Sequence, residues 1–251
     1  MDVKGVIKDA LVYPFLDWKK ILILGVILVI SNAASIIQTF LDNVGVTVII
    51  LGLVGFVVGF IPGGYKFKIL KSSFNGVKEP PEFKNWSEMF NNGIKLFLVY
   101  LVYMMPAILL VFTIIPLKSG IELIIGVMSF STFLTYLGAK WFLGVTALLY
   151  FIVIIPLMLA AMANMVHENN MHEAFNFHEI FHKISKNGWS NLLSWYMITE
   201  VIVLAILTAG KILIGITLTI ENLDPILTSL ILMPYINMYL YRSVALLYTS
   251  T

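Results

Sequence analysis

Residues 175–185, FNFHEIFHKIS, contain the residue types of a zinc-dependent hydrolase. His178 and His182 would lie one turn apart on a helix, where two imidazoles can bind one zinc ion, and Glu179 would act as general base toward a metal-bound water. A catalytic zinc site also needs a third protein ligand. The sequence offers three candidates for that ligand: Glu200, His167 and His172.

A helical projection of this segment, at about 100° per residue, places the two histidines unfavourably for catalysis. The apolar face is formed by Phe177, Ile180, Phe181 and Ile184. The opposite, polar face contains Glu179, Lys183 and Lys186. His178 and His182 fall between the two faces, so their imidazoles are predicted to face water or lipid headgroups. The segment is therefore predicted to be a solvated interfacial helix, without a catalytic or metal site.

Two ionisable residues, Glu200 and Arg242, interrupt otherwise apolar stretches. A charge in hydrocarbon costs about 3 kcal/mol or more, and an arginine does not escape that cost by losing its proton. Because the two stretches follow each other along the chain, Glu200 and Arg242 are predicted to form a structural ion pair between antiparallel spans. In the alternative interpretation, Glu200 lines a conducting path and Arg242 extends to the headgroups.

Small residues recur in the second apolar stretch at Gly52, Gly55, Gly59 and Gly63. Glycines four residues apart allow the backbones of two membrane helices to approach closely. They are predicted to pack against another helix of the same chain, and residues 31–35, SNAAS, are the predicted partner surface. The alternative is a face for a homodimer.

The composition indicates where the chain lies. Of its 251 residues, 59% are hydrophobic and 12% are charged, whereas soluble proteins are about 25% charged. The mean hydropathy is +0.93. These values predict an all-α, polytopic transmembrane helix bundle. The net charge of +2 gives no basic surface for nucleic acid, and the absence of cysteine excludes disulfides, iron–sulfur clusters and thiolate zinc sites.

Six stretches have the length of about 20 residues that a helix needs to cross a bilayer. They are 21–41, 44–64, 96–117, 141–166, 192–220 and 225–248. A weaker stretch, 120–139, is either a seventh span or a re-entrant or surface segment, and six spans are favoured. The first stretch also has the core of a signal peptide. Since acidic residues precede it and its apolar character continues to residue 41, it is predicted to be an uncleaved span.

Lysines mark the predicted cytoplasmic side. Residues 1–20 and 65–95 are rich in lysine, whereas the connections near Asp42 and Asp224 contain none. The chain is therefore predicted to lie in the cell membrane with both termini in the cytoplasm.

A pattern of amphipathic segment, outgoing span and returning span occurs three times within a single membrane domain, 1–251. The repeat units are approximately 1–72, 73–170 and 171–251, and each returning span contains a proline, at Pro62, Pro156 and Pro234. The amphipathic segments are 3–18, 86–92 and 173–186. If the units are equivalent, all three segments lie on the same side of the membrane.

The segment 63–106 contains Gly64-Tyr65-Lys66, then Pro81-Glu82-Phe83, then Trp86 and Gly93. In these motifs, and again in 173–189 and 234–250, the chain resembles the domain-of-unknown-function 4013 family of multi-pass membrane proteins, found mainly in methanogenic archaea. The resemblance implies a multi-pass membrane protein. It implies no activity, because the family has none assigned.

No phosphate-binding loop, nucleophile elbow or facing aspartate pair occurs, so neither an enzyme nor a cofactor is predicted. The leading interpretation is a non-catalytic membrane scaffold, or a module that binds membrane lipids or an unidentified membrane partner, with a homo-oligomer left open. The alternative is a small transporter or channel that uses Glu200 and Arg242. A zinc metalloprotease using His178, Glu179 and His182 is the remote alternative.

Overall fold

The computed structural model of the chain describes residues 2–40, 45–114, 135, 141–217 and 223–250, and the regular elements assigned among them are helical. The first half contains α1 (Val3–Val12), a 3₁₀ turn (Tyr13–Leu16), α2 (Trp18–Ser31), α3 (Ala33–Gln38), α4 (Gly45–Val58), α5 (Phe60–Phe74) and α6 (Trp86–Ile114). The second half contains α7 (Trp141–His167), a 3₁₀ turn (Met171–Phe175), α8 (Phe177–Asn187), α9 (Trp189–Thr217), α10 (Asp224–Leu227), a π-helical turn (Thr228–Leu232) and α11 (Met233–Thr249).

Five described helical segments are long and apolar enough to cross a membrane: Gly45–Phe74, Trp86–Leu109, Tyr150–His167, Trp189–Gly215 and Asp224–Thr249. They confirm the predicted all-α membrane bundle. The first predicted span, 21–41, is divided at Asn32 into α2 and α3. The weaker stretch, 120–139, lies outside the described residues apart from Thr135.

The chain forms two compact units, Met1–Phe97 with Leu159–Thr251, and Leu98–Met158. In the second unit, the Tyr150 hydroxyl donates a hydrogen bond to the carbonyl oxygen of Tyr103. The first unit contains the buried polar clusters described below. Its last helix, α11, packs mainly against α5 and α1, while α2 packs against the π-helical turn.

Glycines set the closest helix crossings of the first unit. A Cβ atom on Gly55 would overlap the carbonyl oxygen of Ser31, the first residue of the SNAAS segment, so α4 closely approaches the end of α2. A closer crossing joins α5 to α6, where a Cβ atom on Gly64 would overlap Met89 O and one on Gly93 would overlap Phe60 O.

The other glycines of the predicted stripe differ in their surroundings. A Cβ atom on Gly63 would lie 3.1 Å from the Cα atom of Gly93, so Gly63 belongs to the α5–α6 crossing. A Cβ atom on Gly52 would make only an ordinary contact with Ala34, at 3.9 Å. A Cβ atom on Gly59 would lie nearest to backbone atoms of the preceding helical turn, Gly55 and Phe56, and not to another helix. The stripe therefore contacts two different helices rather than one.

The three amphipathic segments lie at one end of the first unit, called here the amphipathic end: α1 with its 3₁₀ turn, the 75–85 loop with the first turns of α6, and α8. The second of them, predicted at 86–92, is not a separate helix but the beginning of α6. Three outgoing helices begin here with an exposed tryptophan, at Trp18, Trp86 and Trp189.

Three returning helices end at the same place. Phe74, His167 and Tyr248 lie at or near the ends of α5, α7 and α11, with ring centroids 5.4 to 5.6 Å apart. The ends of three returning helices therefore meet in one ring cluster, while the predicted division into three repeat units stays a prediction.

Candidate functional site

Arg242 is the centre of a polar cluster that joins the last helix to the first. Its Nε donates to Asp9 Oδ1 at 2.9 Å, and its Nη1 donates to Ser73 Oγ at 3.0 Å and to Val77 O at 2.8 Å. The guanidinium carbon lies 4.9 Å from the centre of the Tyr13 ring, within the range of a cation–π contact. The cluster therefore attaches α1 and the 75–85 loop to α11.

The partner of Arg242 differs from the predicted one, because the carboxylate comes from Asp9 on α1 and not from Glu200 on α9. The prediction assumed that α9 and α11, as neighbours in the sequence, pack closely along their length. Instead, α11 packs on α5 and α1, and α1 brings a carboxylate to its surface. A buried arginine does require a carboxylate, but a helix distant in sequence supplies it.

Tyr13 is buried, so water has little access to this side of the cluster. Burial raises the pKa of the Tyr13 hydroxyl to about 12, although a hydrogen bond with Ser72 and the positive charge of Arg242 oppose the shift. The phenol is therefore a neutral donor at physiological pH. It donates to the carbonyl oxygen of Glu79, at 3.5 Å.

The 75–85 loop has few backbone partners of its own, since Pro80 and Pro81 lack an N–H group. Side chains from outside the loop supply donors for its carbonyl groups: Arg242 to Val77, Tyr13 to Glu79, Lys20 to Pro80, Tyr65 to Pro81 and Lys68 to Lys84. The Tyr65 ring also stacks on Phe83, with centroids 4.1 Å apart. These contacts fix the loop as a shaped surface.

Lys183 is the centre of a second polar cluster, which attaches α8 to the helices beneath it. Its Nζ donates to Asn164 Oδ1 at 2.8 Å and to the Tyr248 hydroxyl at 2.7 Å, and it pairs with Glu179 at 2.6 Å and Glu168 at 3.1 Å. Asn164 is fully buried, and its amide also donates to the carbonyl oxygen of Glu173 at 2.9 Å. The cluster therefore joins α7, α8 and α11.

The electrostatics of this cluster favour its charged state. Burial opposes the charge of Lys183, but its hydrogen bonds to Glu179, Tyr248 and Glu168 outweigh burial and raise its pKa. Hydrogen bonds from His167 and Lys183 lower the pKa of Glu168, and one from Lys183 lowers that of Glu179. A lowered carboxyl pKa stabilises the folded protein at pH values above the ordinary glutamate pKa of 4.5. This stabilisation is lost as the pH falls through the pKa that the carboxyl group has in the folded protein. At neutral pH Lys183 is therefore a cation, and Glu168 and Glu179 are carboxylates.

The helical projection placed Lys183 on the solvent face of α8, and that prediction was wrong. The aliphatic part of a lysine can lie along apolar surface while its ammonium group reaches polar atoms. Here Ile180 and Ile184 are buried, and the ammonium group turns toward the buried Asn164. The other part of the predicted apolar face, Phe177 and Phe181, is exposed, and Phe181 packs against Trp189 at 5.7 Å.

The histidines of the HExxH motif are placed as predicted, on the exposed part of α8. Glu179, the proposed general base, pairs with Lys183. Among the described residues, which include the candidate ligands Glu200, His167 and His172, no group of three His, Asp or Glu side chains could hold a metal ion.

Replacing His178 and His182 together by alanine should leave the thermal unfolding temperature nearly unchanged, because both imidazoles lie outside the core. Surface substitutions of this kind usually change stability by no more than about 0.5 kcal/mol. The measurement is thermal unfolding in detergent, together with the zinc content of the purified protein. Stoichiometric zinc that is lost in the double variant would contradict this prediction.

Neither residue type nor helical pattern indicated that Asp9, Tyr13 or Lys183 would occupy central positions. Asp9 and Lys183 lie in amphipathic helices, where charged side chains normally face water. The one available signal was the three-fold repeat, which predicts that the segments containing them lie together at one end.

Comparison with known proteins gives one result. The sequence model of a family described as "Protein of unknown function (DUF4013)" matches residues 47–217. No curated protein and no solved structure matches the chain.

Proposed function

Because the chain belongs to the DUF4013 family, whose function is unknown, we propose its role from the arrangement of its own residues. The chain is a membrane protein, and in this proposal it is a non-catalytic one. Its amphipathic end serves as a rigid platform that binds lipid headgroups or a membrane partner.

The observation that carries the proposal is the attachment of two amphipathic helices by polar clusters, each of which contains a buried polar side chain, Arg242 in one and Asn164 in the other. Arg242 holds α1 through Asp9, and Lys183 holds α8 through Asn164 and Tyr248. A helix that only covers the core needs no such buried polar contacts, because apolar packing suffices. Fixing the helices in place also fixes the surface that they present.

That surface has the composition of a membrane interface. Exposed aromatic side chains lie at the beginnings of helices and along α8: Trp18, Trp86, Trp189, Phe177 and Phe181. Tryptophan is enriched at the level of the headgroups, and aromatic side chains on an amphipathic helix insert at the boundary with the acyl chains. The lysines of residues 1–20 and 65–95 support placing this end, with both termini, in the cytoplasm of a cell.

The platform is tested by releasing α8 without unfolding the bundle. Lys183→Gln removes the centre of the second cluster, while Lys186→Gln removes an exposed charge of the same helix and is the matched control. Both variants and the unaltered protein are reconstituted with phosphatidylglycerol and phosphatidylcholine. Native mass spectrometry then counts the retained lipids, and limited proteolysis reports cleavage within 170–190.

Lys183→Gln should retain fewer lipids and be cleaved faster within 170–190, while Lys186→Gln should behave like the unaltered protein. Equal loss of lipid in both variants would contradict the proposal, because charge alone would then explain retention. Faster cleavage with full lipid retention would also contradict it. The same spectra report the number of subunits and any co-purified partner.

Transport is the second candidate function, and it now depends on Glu200 alone. Arg242 is held by Asp9, Ser73 and Val77 and has a structural role. Glu200 is the remaining ionisable residue of the predicted pair, and among the described residues its carboxylate forms no ion pair with a lysine, arginine or histidine.

A further inference from the structure

A groove lies between α1 and the 75–85 loop, at the amphipathic end of the first unit. Its volume is about 430 Å³, which is within the range of about 300–1,000 Å³ that small-molecule sites have. One wall is a face of α1 and its 3₁₀ turn, and the other comes from the loop. The walls include Lys8, Asp9, Val12, Leu16 and Lys78.

Two cations line this groove without a counter-charge. Neither Lys8 nor Lys78 forms an ion pair with a described residue. The carboxylate of the groove, Asp9, pairs with the Arg242 guanidinium and so leaves the two lysines uncompensated. Glu79 follows Lys78 in the sequence but does not line the groove. The groove therefore has an excess of positive charge.

The Arg242 guanidinium fixes both walls of the groove. On α1 it is bound by Asp9, the neighbour of Lys8, at 2.9 Å. On the loop it donates to the carbonyl oxygen of Val77, the neighbour of Lys78, at 2.8 Å. The separation of the two lysine backbones is therefore set before any ligand binds, which lowers the entropic cost of binding.

An apolar edge continues the groove toward the beginning of α2. Its large side chains are exposed: Val12, Phe15, Leu16 and Trp18, with Phe15 at 71%. Val12 and Leu16 also line the groove. Tryptophan is enriched at the level of the lipid headgroups, and α2 begins the first predicted span. The surface is therefore cationic at one end and apolar at the other.

We propose that this groove binds one anionic phospholipid, with its phosphodiester between Lys8 and Lys78 and its acyl chains along Val12 and Leu16. Phosphate oxygens accept charge-assisted hydrogen bonds from ammonium groups, and the chains remove apolar side chains from water. A free phosphate would leave the apolar edge uncovered, whereas a phospholipid covers it. This inference rests on the proposed platform, because it names a lipid and a site on that platform.

The site is tested with the intact protein in detergent micelles, titrated with phosphatidylglycerol or phosphatidylcholine and observed by native mass spectrometry. Lys8→Gln combined with Lys78→Gln removes both cations of the groove. Lys19→Gln combined with Lys71→Gln is the matched control, which removes two exposed lysines that do not line the groove. A phosphatidylglycerol with a photoreactive diazirine near the ester end of an acyl chain reports the position, and peptide mapping locates its adducts.

The groove variant should bind phosphatidylglycerol about 30-fold more weakly, because each lysine near an anionic surface contributes roughly fivefold to affinity. The control variant should bind it as the unaltered protein does. Phosphatidylcholine should bind the unaltered protein more weakly than phosphatidylglycerol, since it has no net negative charge. Adducts should form within residues 12–18 of the unaltered protein and be lost in the groove variant.

Equal weakening in the two double variants would overturn the inference, because surface charge alone would then explain the binding. Adducts within residues 12–18 that persist in the groove variant would also overturn it. The outcome for the platform is separate. If Lys183→Gln loses lipid while the groove variant retains it, the platform stands and the groove is rejected. Full retention in Lys183→Gln and in the groove variant rejects both.

Discussion

Gly64→Ala should lower the free energy of unfolding by about 3 kcal/mol, the upper range for inserting a group into a packed core. The added Cβ atom would overlap the carbonyl oxygen of Met89, which belongs to the backbone of α6 and does not move aside by changing a rotamer. The two helices would have to separate at their crossing. The measurement is reversible unfolding in mixed detergent micelles.

Gly52→Ala is the matched control on the same membrane span, Gly45–Phe74. Its Cβ atom would lie 3.9 Å from that of Ala34, an ordinary contact, so stability should change by less than about 0.5 kcal/mol. Gly93→Ala, which enters the same crossing from α6, should destabilise as Gly64→Ala does. Because the two glycines share one contact, the double variant should cost less than the sum. Equal stability of Gly64→Ala and Gly52→Ala would show that the crossing is not as close as described.

Asp9→Asn should lower the free energy of unfolding by about 2 kcal/mol, although residue 9 is partly exposed. The substitution leaves the Arg242 guanidinium, whose side chain is 5% exposed, with only neutral acceptors. Removing one partner of a fully buried ion pair costs about 3–5 kcal/mol. A smaller value is expected here, because the Asp9 side chain is 38% exposed and water screens part of the interaction. Unfolding in mixed micelles also measures this effect.

Lys8→Gln on the exposed side of α1 is the control for Asp9→Asn and should be nearly neutral. Combining Asp9→Asn with Arg242→Met should recover part of the loss, since no buried charge then remains without a counter-ion. Simple additivity of the two single effects would show that Asp9 and Arg242 are not energetically coupled.

The sequence predicted the need for a partner at Arg242 but not the identity of that partner. An arginine in an apolar stretch requires a carboxylate, and that requirement is local. The choice between Glu200 and Asp9 depends on which helix lies against α11, which is decided by packing over the whole unit. The glycines are predictable to the same extent. The spacing of Gly52 to Gly63 shows where the backbone of another helix can approach, but it does not show which helix does so. The closest crossing, at Gly64 and Gly93, lies beyond that regular stripe.

The candidate site was less predictable than the helices, for a related reason. The hydrophobic pattern of α8 predicts which residues face the core, and Ile180 and Ile184 do. The pattern contains no information about a buried acceptor such as Asn164, which comes from α7 and draws Lys183 inward. Helix periodicity shows which side of a single helix faces the core. A polar cluster depends on side chains from three or four helices, so the pattern of one helix does not predict it.

The contact between Arg242 and the 75–85 loop has a consequence for the order of assembly during synthesis. The loop and α1 leave the ribosome long before α11. The carbonyl of Val77 and the carboxylate of Asp9 therefore have no Arg242 donor until α11 has been synthesised. Until the final helix is inserted, both groups lack the hydrogen bond that Arg242 gives them in the folded protein. The last helix to be synthesised therefore completes the attachment of the first helix and of the 75–85 loop.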